Sequence, residues 1–172
     1  EHIQIICHGI FDGTEEHAKK RTKGGIIYQS TKELEQEMFK ALIKKCNFGQ
    51  FDINKTSKDE YRFPSILAQL LLRHYKIDSL NSKKAILPIK VMKEINQNKQ
   101  LKRLILKACF IDEGSCGYKK VRDNLCIYSS INTVLIEQIS NILKLMNYSF
   151  FVNKPRKGNC TSIYLHSESL PK

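Results

Sequence analysis

The chain has 172 residues, enough for one domain or two very small ones with a buried core. Hydrophobic residues make up 41% and charged residues 27%, which is typical of a folded protein and excludes a disordered one. No apolar stretch approaches the roughly 20 residues of a membrane-spanning helix, and nothing at the first residue resembles a signal peptide, so we expect a soluble intracellular protein of the cytoplasm or an organelle matrix. Lys and Arg number 29 against 17 Asp and Glu, and the resulting net charge of +12 indicates a polyanionic partner.

The six cysteines form no CxxC pair, and the five histidines complete no zinc-ligand spacing with them. An even number of cysteines also allows disulfides in a secreted chain. Most of these cysteines, however, lie inside apolar segments, as Cys7, Cys109 and Cys126 do. We therefore expect buried thiols in a reducing compartment.

The first third of the chain predicts a helix, a strand, a second helix and a hairpin. Residues 3–13 are apolar on more than one helical face and end in an acid and glycine, which is typical of a helix packed on two sides. After a basic turn, residues 25–30 predict a short β-branched strand, and a polar, basic hairpin is expected over residues 50–63. Between them a Ser/Thr cap opens an amphipathic helix. Its predicted apolar stripe is Leu34, Met38, Leu42 and Cys46.

The middle of the chain connects two similar parts. Pro64–Tyr75 predicts a helix with leucines along one side, and the polar segment 78–84 is a linker by composition. A short helix then leads into the second apolar segment. We place the division after residue 78, which gives a first repeat over residues 1–78 and a second over residues 79–172.

The second part repeats the order of the first. An apolar segment over residues 101–114 precedes a strand at residues 125–129, an amphipathic helix, and a hairpin region at residues 150–166. The stripe of this helix is Leu135, Ile139, Ile142, Leu143 and Met146. The two parts align at a separation close to one hundred residues, with Tyr28 matching Tyr128 and Glu37 matching Glu137. The predicted fold is α+β, with two pseudo-symmetric αββαββ repeats.

The two apolar segments carry a resemblance to a known family. The stretch CHGIFDGT begins at Cys7, and the stretch LKACFIDEGS begins at Leu106. Each is followed by a strand and an amphipathic helix, and both resemble the motif of LAGLIDADG homing endonucleases of the two-repeat, single-chain type. The resemblance implies a saddle of antiparallel β-hairpins that straddles a nucleic-acid duplex. It also implies that the two motif helices pack side by side at a central interface, where Gly9 and Ala108 would let the backbones approach.

The resemblance further implies a metal site where the motif helices end. In this family the last acid before the final glycine of the motif holds a divalent ion, usually Mg²⁺, and that acid is Glu113 in the second repeat. Asp112 either occupies the preceding small-residue position or is a displaced upstream acid, and we count it with Glu113 among the expected metal ligands. In the first repeat the alignment on Gly9 places Thr14 at the metal position. A hydroxyl is a poor substitute for a carboxylate there, so we expect at most one intact acidic position, and a monomer with internal pseudo-twofold symmetry.

Basic residues concentrate in the four segments that the resemblance assigns to hairpins facing a duplex. Such residues would bind phosphates, whereas strand side chains that reach base edges would select sequence. Candidates for the second role are Gln29, Tyr128, Tyr164 and His166. The expected phosphate-binding residues are Lys19, Lys20, Arg21, Lys23, Lys55, Lys58, Arg62, Lys119, Lys120, Arg122, Lys154, Arg156 and Lys157.

Three functions remain open from the sequence. The first is a Mg²⁺-dependent, site-specific endonuclease or nickase acting on double-stranded DNA, with Glu113 as the catalytic carboxylate. The second is a degenerate relative that binds structured RNA without cleaving it, in the manner of a splicing maturase. The third is a DNA-binding regulator that kept the scaffold and lost the chemistry. Two intact acids would favour cleavage, and the sequence offers one.

Overall fold

A computed structural model describes residues 2–15, 26–30, 32–45, 54–57, 60–63, 65–80, 83–115, 125–154 and 159–166. The chain divides into two compact units, Glu1–Ile89 and Lys90–Lys172. The repeat boundary after residue 78 stays a prediction. No helix in the described ranges is long and apolar enough to cross a membrane.

The first unit contains three helices and a four-stranded antiparallel sheet. The elements are α1 (His2–Asp12), β1 (Gly13–Glu15), β2 (Ile26–Gln29), α2 (Glu33–Ile43), β3 (Asn54–Ser57), β4 (Glu60–Phe63) and α3 (Ser65–Tyr75). The strands lie in the order β1-β2-β4-β3, with Tyr28 opposite Gly13 on one side and opposite Tyr61 on the other. Helix α1 packs against β1, β2, α2 and α3. Every residue from Ile5 to Phe11 of α1 is buried, which confirms that this helix is packed on more than one side.

The second unit repeats this order. Its elements are α4 (Ile89–Glu94, beginning at the last residue of the first unit), α5 (Lys99–Glu113), β5 (Leu125–Ser130), α6 (Thr133–Leu145), β6 (Phe150–Asn153) and β7 (Thr161–Leu165). The strands lie in the order β5-β7-β6, and an isolated bridge joins Ser115 to Cys126 at the β5 edge. With that bridge at the place of β1, the second sheet has the connectivity of the first. The α+β architecture with antiparallel sheets, predicted from the repeat, is confirmed.

The core of the second unit lies between the sheet and helices α5 and α6. Side chains of β7 alternate, so that Ile163 and Leu165 are buried while Tyr164 between them is partly exposed on the other face. The predicted stripe of α6 is confirmed at Leu135, Ile139, Ile142 and Leu143. Asn132 caps this helix, and its side-chain oxygen accepts hydrogen bonds from the N–H groups of Val134 and Leu135 at 3.1 and 3.2 Å.

The predicted stripe of α2 is wrong at its first member. Leu34 is 73% exposed, and the buried residues of the described helix are Gln36, Phe39, Leu42 and Ile43. A stripe built only on i+4 steps drifts around the helix, whereas spacings of three and four residues stay on one side. Gln36 can be buried because its side-chain amide donates a hydrogen bond to the Ser30 carbonyl at 2.5 Å. Cys46 lies outside the described residues.

The Ser/Thr caps predicted for the two amphipathic helices are also wrong. The residues at the cap positions are Lys32, whose side chain makes no cap hydrogen bond, and Asn132. Ser30 and Ser130 lie two residues earlier. Each serine hydroxyl accepts a hydrogen bond from the backbone N–H two residues on, at 3.1 Å in both cases. The serines therefore shape the turn from strand to helix.

Candidate functional site

Helix α5 ends in two consecutive carboxylates. Asp112 and Glu113 form its last turn, and the Gly114 N–H donates to the Phe110 carbonyl at 2.9 Å as the chain leaves the helix. Ser115 then joins the sheet edge, donating its N–H to the Cys126 carbonyl at 3.0 Å. The acids are thus held where the helix meets the sheet, and both are partly exposed.

Glu113 has an unusual affinity for its proton. Burial, the larger cause, and the neighbouring negative charge of Asp112 together raise the pKa of its carboxyl from 4.5 to about 7. The carbonyl groups at the end of a helix also disfavour a negative charge there. A cation beside this carboxyl would offset all three effects. A carboxyl whose charged form is disfavoured in this way is typical of a site that binds a positive ion.

Tyr128 is a neighbour of Glu113 in the core. It is 2% exposed, so its predicted role in reaching base edges is wrong. Burial raises the pKa of its phenol, a hydrogen bond with Ser130 lowers it, and the charges of Cys109, Glu113 and Cys160 raise it. Tyr28, the residue that matches Tyr128 in the first repeat, is also buried, at 1% exposure. The match between these two tyrosines was the sequence signal that Tyr128 lies in the core.

Strand register identifies the residue of the first repeat that matches Glu113. Glu15 lies opposite Ile26, as Ser115 lies opposite Cys126, so the two repeats keep a constant separation of one hundred residues here. This register matches Asp12 with Asp112, Gly13 with Glu113 and Thr14 with Gly114. It therefore replaces the sequence alignment that placed Thr14 at the metal position. The residue of the first repeat that matches Glu113 by this register is a glycine, one residue after Asp12.

Gly9 and Ala108, predicted to let the two motif helices approach, are both buried. They belong to different compact units. Their contact across a central interface stays a prediction.

The open face of the second sheet carries an aromatic and hydroxyl surface. Phe151 and Tyr164 are stacked across β6 and β7 with ring centroids 5.2 Å apart, and His166 lies 5.2 Å from Phe151 on the other side. The hydroxyls of Ser129 and Ser162 are hydrogen-bonded at 2.7 Å on the adjoining strands. Tyr164 and His166 were predicted to contact bases, and both are partly exposed on this face.

Most of the predicted phosphate-binding residues cannot be placed. Lys154 is exposed at the end of β6, and the backbones of Lys55 and Arg62 lie in β3 and β4. The phosphate-binding role of these three residues stays a prediction. It also stays a prediction for the others, which fall outside the described residues. Those are Lys19, Lys20, Arg21, Lys23, Lys58, Lys119, Lys120, Arg122, Arg156 and Lys157.

Three of the described cysteines are buried, as expected from their apolar segments: Cys7, Cys109 and Cys126. Cys160 is exposed. The Cys109 thiol lies 3.8 Å from the Ile127 carbonyl in the core of the second unit.

Comparison with solved structures identifies the fold as that of a LAGLIDADG homing endonuclease. A structure of I-DmoI in complex with DNA and Mn aligns over 97% of this chain and 90% of its own, with a TM-score of 0.61 and 14% identity. A second, of I-DmoI with DNA and Ca, aligns over 97% and 84% with a TM-score of 0.61 and 15% identity. A variant bound to its target DNA in the presence of Mg gives a TM-score of 0.60 at 14% identity over 97% and 90%. No family model matches the sequence, and no curated protein matches it.

Proposed function

We propose that this protein binds double-stranded DNA and hydrolyses it at a specific site in a divalent-metal-dependent reaction, with Glu113 as the essential carboxylate. The observation that carries the proposal is the pair Asp112–Glu113 at the end of the motif helix, with the Glu113 pKa raised to about 7. The fold supports it, because the similar I-DmoI structures are described in complex with DNA and with Mn, Mg or Ca.

The donor set fits a hard divalent cation. Carboxylate oxygens are the protein ligands that Mg²⁺ prefers, and it usually binds one or two of them together with water and phosphate oxygens. Among the described residues no group of three or more His, Cys, Asp and Glu is arranged to hold a metal. Glu113 and Asp112 would hold the ion. A bound Mg²⁺ would supply an activated water and stabilise the leaving oxygen.

The two repeats differ at the position of Glu113. Glu113 has only Gly13 as its match in the first repeat, with Asp12 one residue earlier. A glycine cannot ligate through a side chain. A single strong carboxylate position favours cutting of one strand over cutting of both, so the proposal includes nicking activity.

Plasmid cleavage tests the chemistry. With Mg²⁺ or Mn²⁺ we expect wild type to nick supercoiled DNA that carries its site, and Glu113→Gln to abolish nicking while binding is kept or slightly strengthened, because a negative charge is removed from a phosphate-facing site. Glu137→Gln is the matched control, since it removes an exposed carboxylate from α6 of the same unit. Nicking by Glu113→Gln at the wild-type rate would exclude Glu113 as the essential group.

Because the target site is unknown, metal binding gives a second readout. Wild type should unfold at a higher temperature in Mg²⁺ than in its absence, more so at pH 8 than at pH 6, since the ion competes with the Glu113 proton. Glu113→Gln should lose this gain and Glu137→Gln should keep it. Equal gains in all three proteins would show that the ion binds elsewhere.

Restoring a second acid tests the register. Gly13→Asp should increase double-strand cutting relative to nicking, because it places a carboxylate opposite Glu113 in the repeat match. Thr14→Asp is the control that the earlier sequence alignment would have favoured. A gain with Thr14→Asp and none with Gly13→Asp would reverse the assignment.

Salt dependence tests the DNA interface. If the basic hairpin residues contact phosphates, the logarithm of the binding constant should fall with the logarithm of salt concentration by about 0.9 per contact on duplex DNA. Replacing Lys119, Lys120 and Arg122 with Gln should reduce this slope and weaken all sequences about equally. A slope near zero would remove the nucleic-acid interface.

Binding without cleavage is the second candidate function, and the glycine at position 13 favours it, because the residue of the first repeat that matches Glu113 has no carboxylate. The bound polymer would be structured RNA or duplex DNA. If neither wild type nor Gly13→Asp cleaves DNA in Mg²⁺ or Mn²⁺ despite firm binding, this function replaces the endonuclease. Gel shifts with both polymers at equal salt would then identify the partner.

A further inference from the structure

Helix α5 carries its charges in the order opposite to the one that stabilises a helix. It begins at Lys99 with no acid in its first turn, and it ends with Asp112 and Glu113 and no base in its last turn. The partial charges of a helix favour acids at the start and bases at the end. Helix α2 follows that preference, with Glu33 and Glu35 in its first turn and Lys40 in its last. The acids of α5 are explained by a cation site, whereas its bases need another explanation.

The exposed bases of α5 form a row, which we call the α5 stripe and define as Lys99, Arg103 and Lys107. All three are exposed, and steps of four residues place them on one side of the helix about 6 Å apart along its axis. None of the ion pairs formed between described residues involves them. Three positive charges at this spacing repel one another, so the stripe is electrostatically unsatisfied within the described part of the chain.

The α5 stripe is separate from the candidate carboxylate site. The buried side of α5 includes Leu101, Ile105 and Cys109, and the helix packs against β5. The stripe lies on the other, exposed side. Along the axis, Lys107 precedes Glu113 by about 9 Å and Lys99 precedes it by about 21 Å. None of the three residues is among the hairpin bases assigned to the sheet side.

We propose that the α5 stripe is a second, sequence-independent binding surface for the phosphate backbone of duplex DNA. Point charges at regular spacing complement a polyanion and release its counterions on binding. The stripe contains no amide, hydroxyl or aromatic group, and phosphate contacts from lysine and arginine carry no sequence information. Duplex DNA is chosen as the occupant because the proposal rests on the proposed function.

A chain with a sequence-reading face and a separate phosphate-binding stripe can hold two duplex segments at once. Sequence-independent binding lets proteins slide and hop along DNA, and a second surface adds direct transfer between segments. The stripe would therefore assist the search for the target site and take no part in hydrolysis.

A bridging assay tests this role. A duplex of random sequence is immobilised, the protein is bound at low salt, and capture of a second, fluorescent duplex is measured. Wild type should capture it, and the triple variant Lys99→Gln, Arg103→Gln, Lys107→Gln should remain bound to the first duplex while capture falls about tenfold or more. The salt slope for the second duplex should decrease by about 2.7, from about 0.9 for each of three contacts.

A second triple variant controls for net charge. Lys44→Gln, Lys84→Gln and Lys144→Gln remove the same charge from exposed positions outside the stripe, and capture should stay near wild type. The stripe variant should also unfold at a temperature equal to or above wild type, because Lys99 opposes the helix dipole and the three like charges repel one another. A lower unfolding temperature would contradict the electrostatic argument.

The outcomes separate this inference from the proposed function. If wild type binds the first duplex and the two triple variants capture the second equally, the stripe has no such role, and the proposed function is unaffected. If wild type binds no duplex at all, both fail. If a duplex RNA displaces the second DNA from wild type, and the stripe variant abolishes RNA binding alone, the assignment to DNA is overturned.

Discussion

The two repeats have the same strand order around a tyrosine at the same position, but they surround that tyrosine differently. In the first repeat Tyr28 is stacked on Phe39 with ring centroids 4.3 Å apart, and His8 meets the two rings edge-on at 5.7 and 6.1 Å. The residues at the matching positions of the second repeat are Ile139 and Ala108, both fully buried.

In the second repeat, smaller side chains at these matching positions accompany a polar environment around Tyr128. The phenol is hydrogen-bonded to Ser130 and lies within the influence of the Glu113 charge. The first repeat thus uses this position for aromatic packing, and the second places a carboxylate near it. Duplicated sequence can keep one backbone arrangement while one copy contributes stability and the other carries the candidate chemistry.

Removing the aromatic packing of the first repeat should have the largest effect on stability. Phe39→Ala should lower the free energy of unfolding by about 3–5 kcal/mol, because it deletes a fully buried ring stacked on Tyr28. Urea denaturation measures the change. Phe39→Ile, which copies the second repeat, is the graded control and should cost less. A cost below about 1 kcal/mol for Phe39→Ala would show that the aromatic cluster does not distinguish the repeats.

The carboxyl of the second repeat should make stability depend on pH. Between pH 4.5 and about 7 the folded protein holds a proton on Glu113 that the unfolded chain releases, so stability is highest at the acidic end and falls as pH rises through this window. The loss should reach about 1–3 kcal/mol, since the carboxyl is partly exposed and solvent screens it. Urea denaturation from pH 5 to pH 8 without divalent ions measures it.

Glu113→Gln should remove this part of the pH dependence and stabilise the protein at pH 8. Glu137→Gln should leave the dependence unchanged. If the free energy of unfolding changed with pH in the same way in wild type and in both variants, Glu113 would titrate as an ordinary carboxyl.

Position 114, where the chain leaves α5, should not tolerate a side chain, although the matching residue of the first repeat is Thr14. A Cβ at Gly114 would collide with the Phe110 carbonyl and ring, although the backbone itself, with φ −78°, suits any residue. Gly114→Ala should therefore cost about 1–3 kcal/mol through overpacking. Ser115→Ala, at the exposed neighbouring position, should change stability by less than about 0.5 kcal/mol. Equal effects in thermal unfolding would show that the end of α5 adapts to a side chain at position 114.

The helix caps should give the smallest difference between the repeats. Asn132→Ala should cost about 1 kcal/mol, because two backbone N–H groups lose their acceptor. Lys32→Asn, which copies that cap into α2, should raise stability by up to about 1 kcal/mol. The exposed Lys32–Glu35 ion pair that it removes contributes little. A destabilised Lys32→Asn protein in thermal unfolding would show that the two turns differ in backbone geometry.

Much of the fold could be predicted from the sequence. The order of helices and strands followed from apolar periodicity and turn composition, and the repeat followed from the match of Tyr28 and Tyr128 at one hundred residues. The predictions were wrong where a local sequence pattern was used to decide which side chains are buried. Leu34 is apolar but exposed, and Gln36 is polar but buried with its hydrogen bond satisfied.

The candidate site was predicted in part. The motif ending at Glu113 is visible in the sequence, because an apolar helix that stops at an acid and a glycine is a local feature. The residue that matches it in the first repeat is a matter of strand register, and only the pairing of Glu15 with Ile26 and of Ser115 with Cys126 decides for Gly13 over Thr14. The position of Tyr128 in the core likewise depends on which face of β5 the helices cover.

The sequence by itself determined the element order, the duplication, the basic charge and the acids at the end of the second motif helix, since each depends on neighbouring residues or on composition. Tertiary structure decided which face of each element is buried, which residues of the repeats correspond, and the burial that raises the pKa of Glu113 to about 7. These properties arise from residues far apart in the chain. Desolvation and strand register depend on what packs against a side chain, and the order of residues along one segment does not specify that.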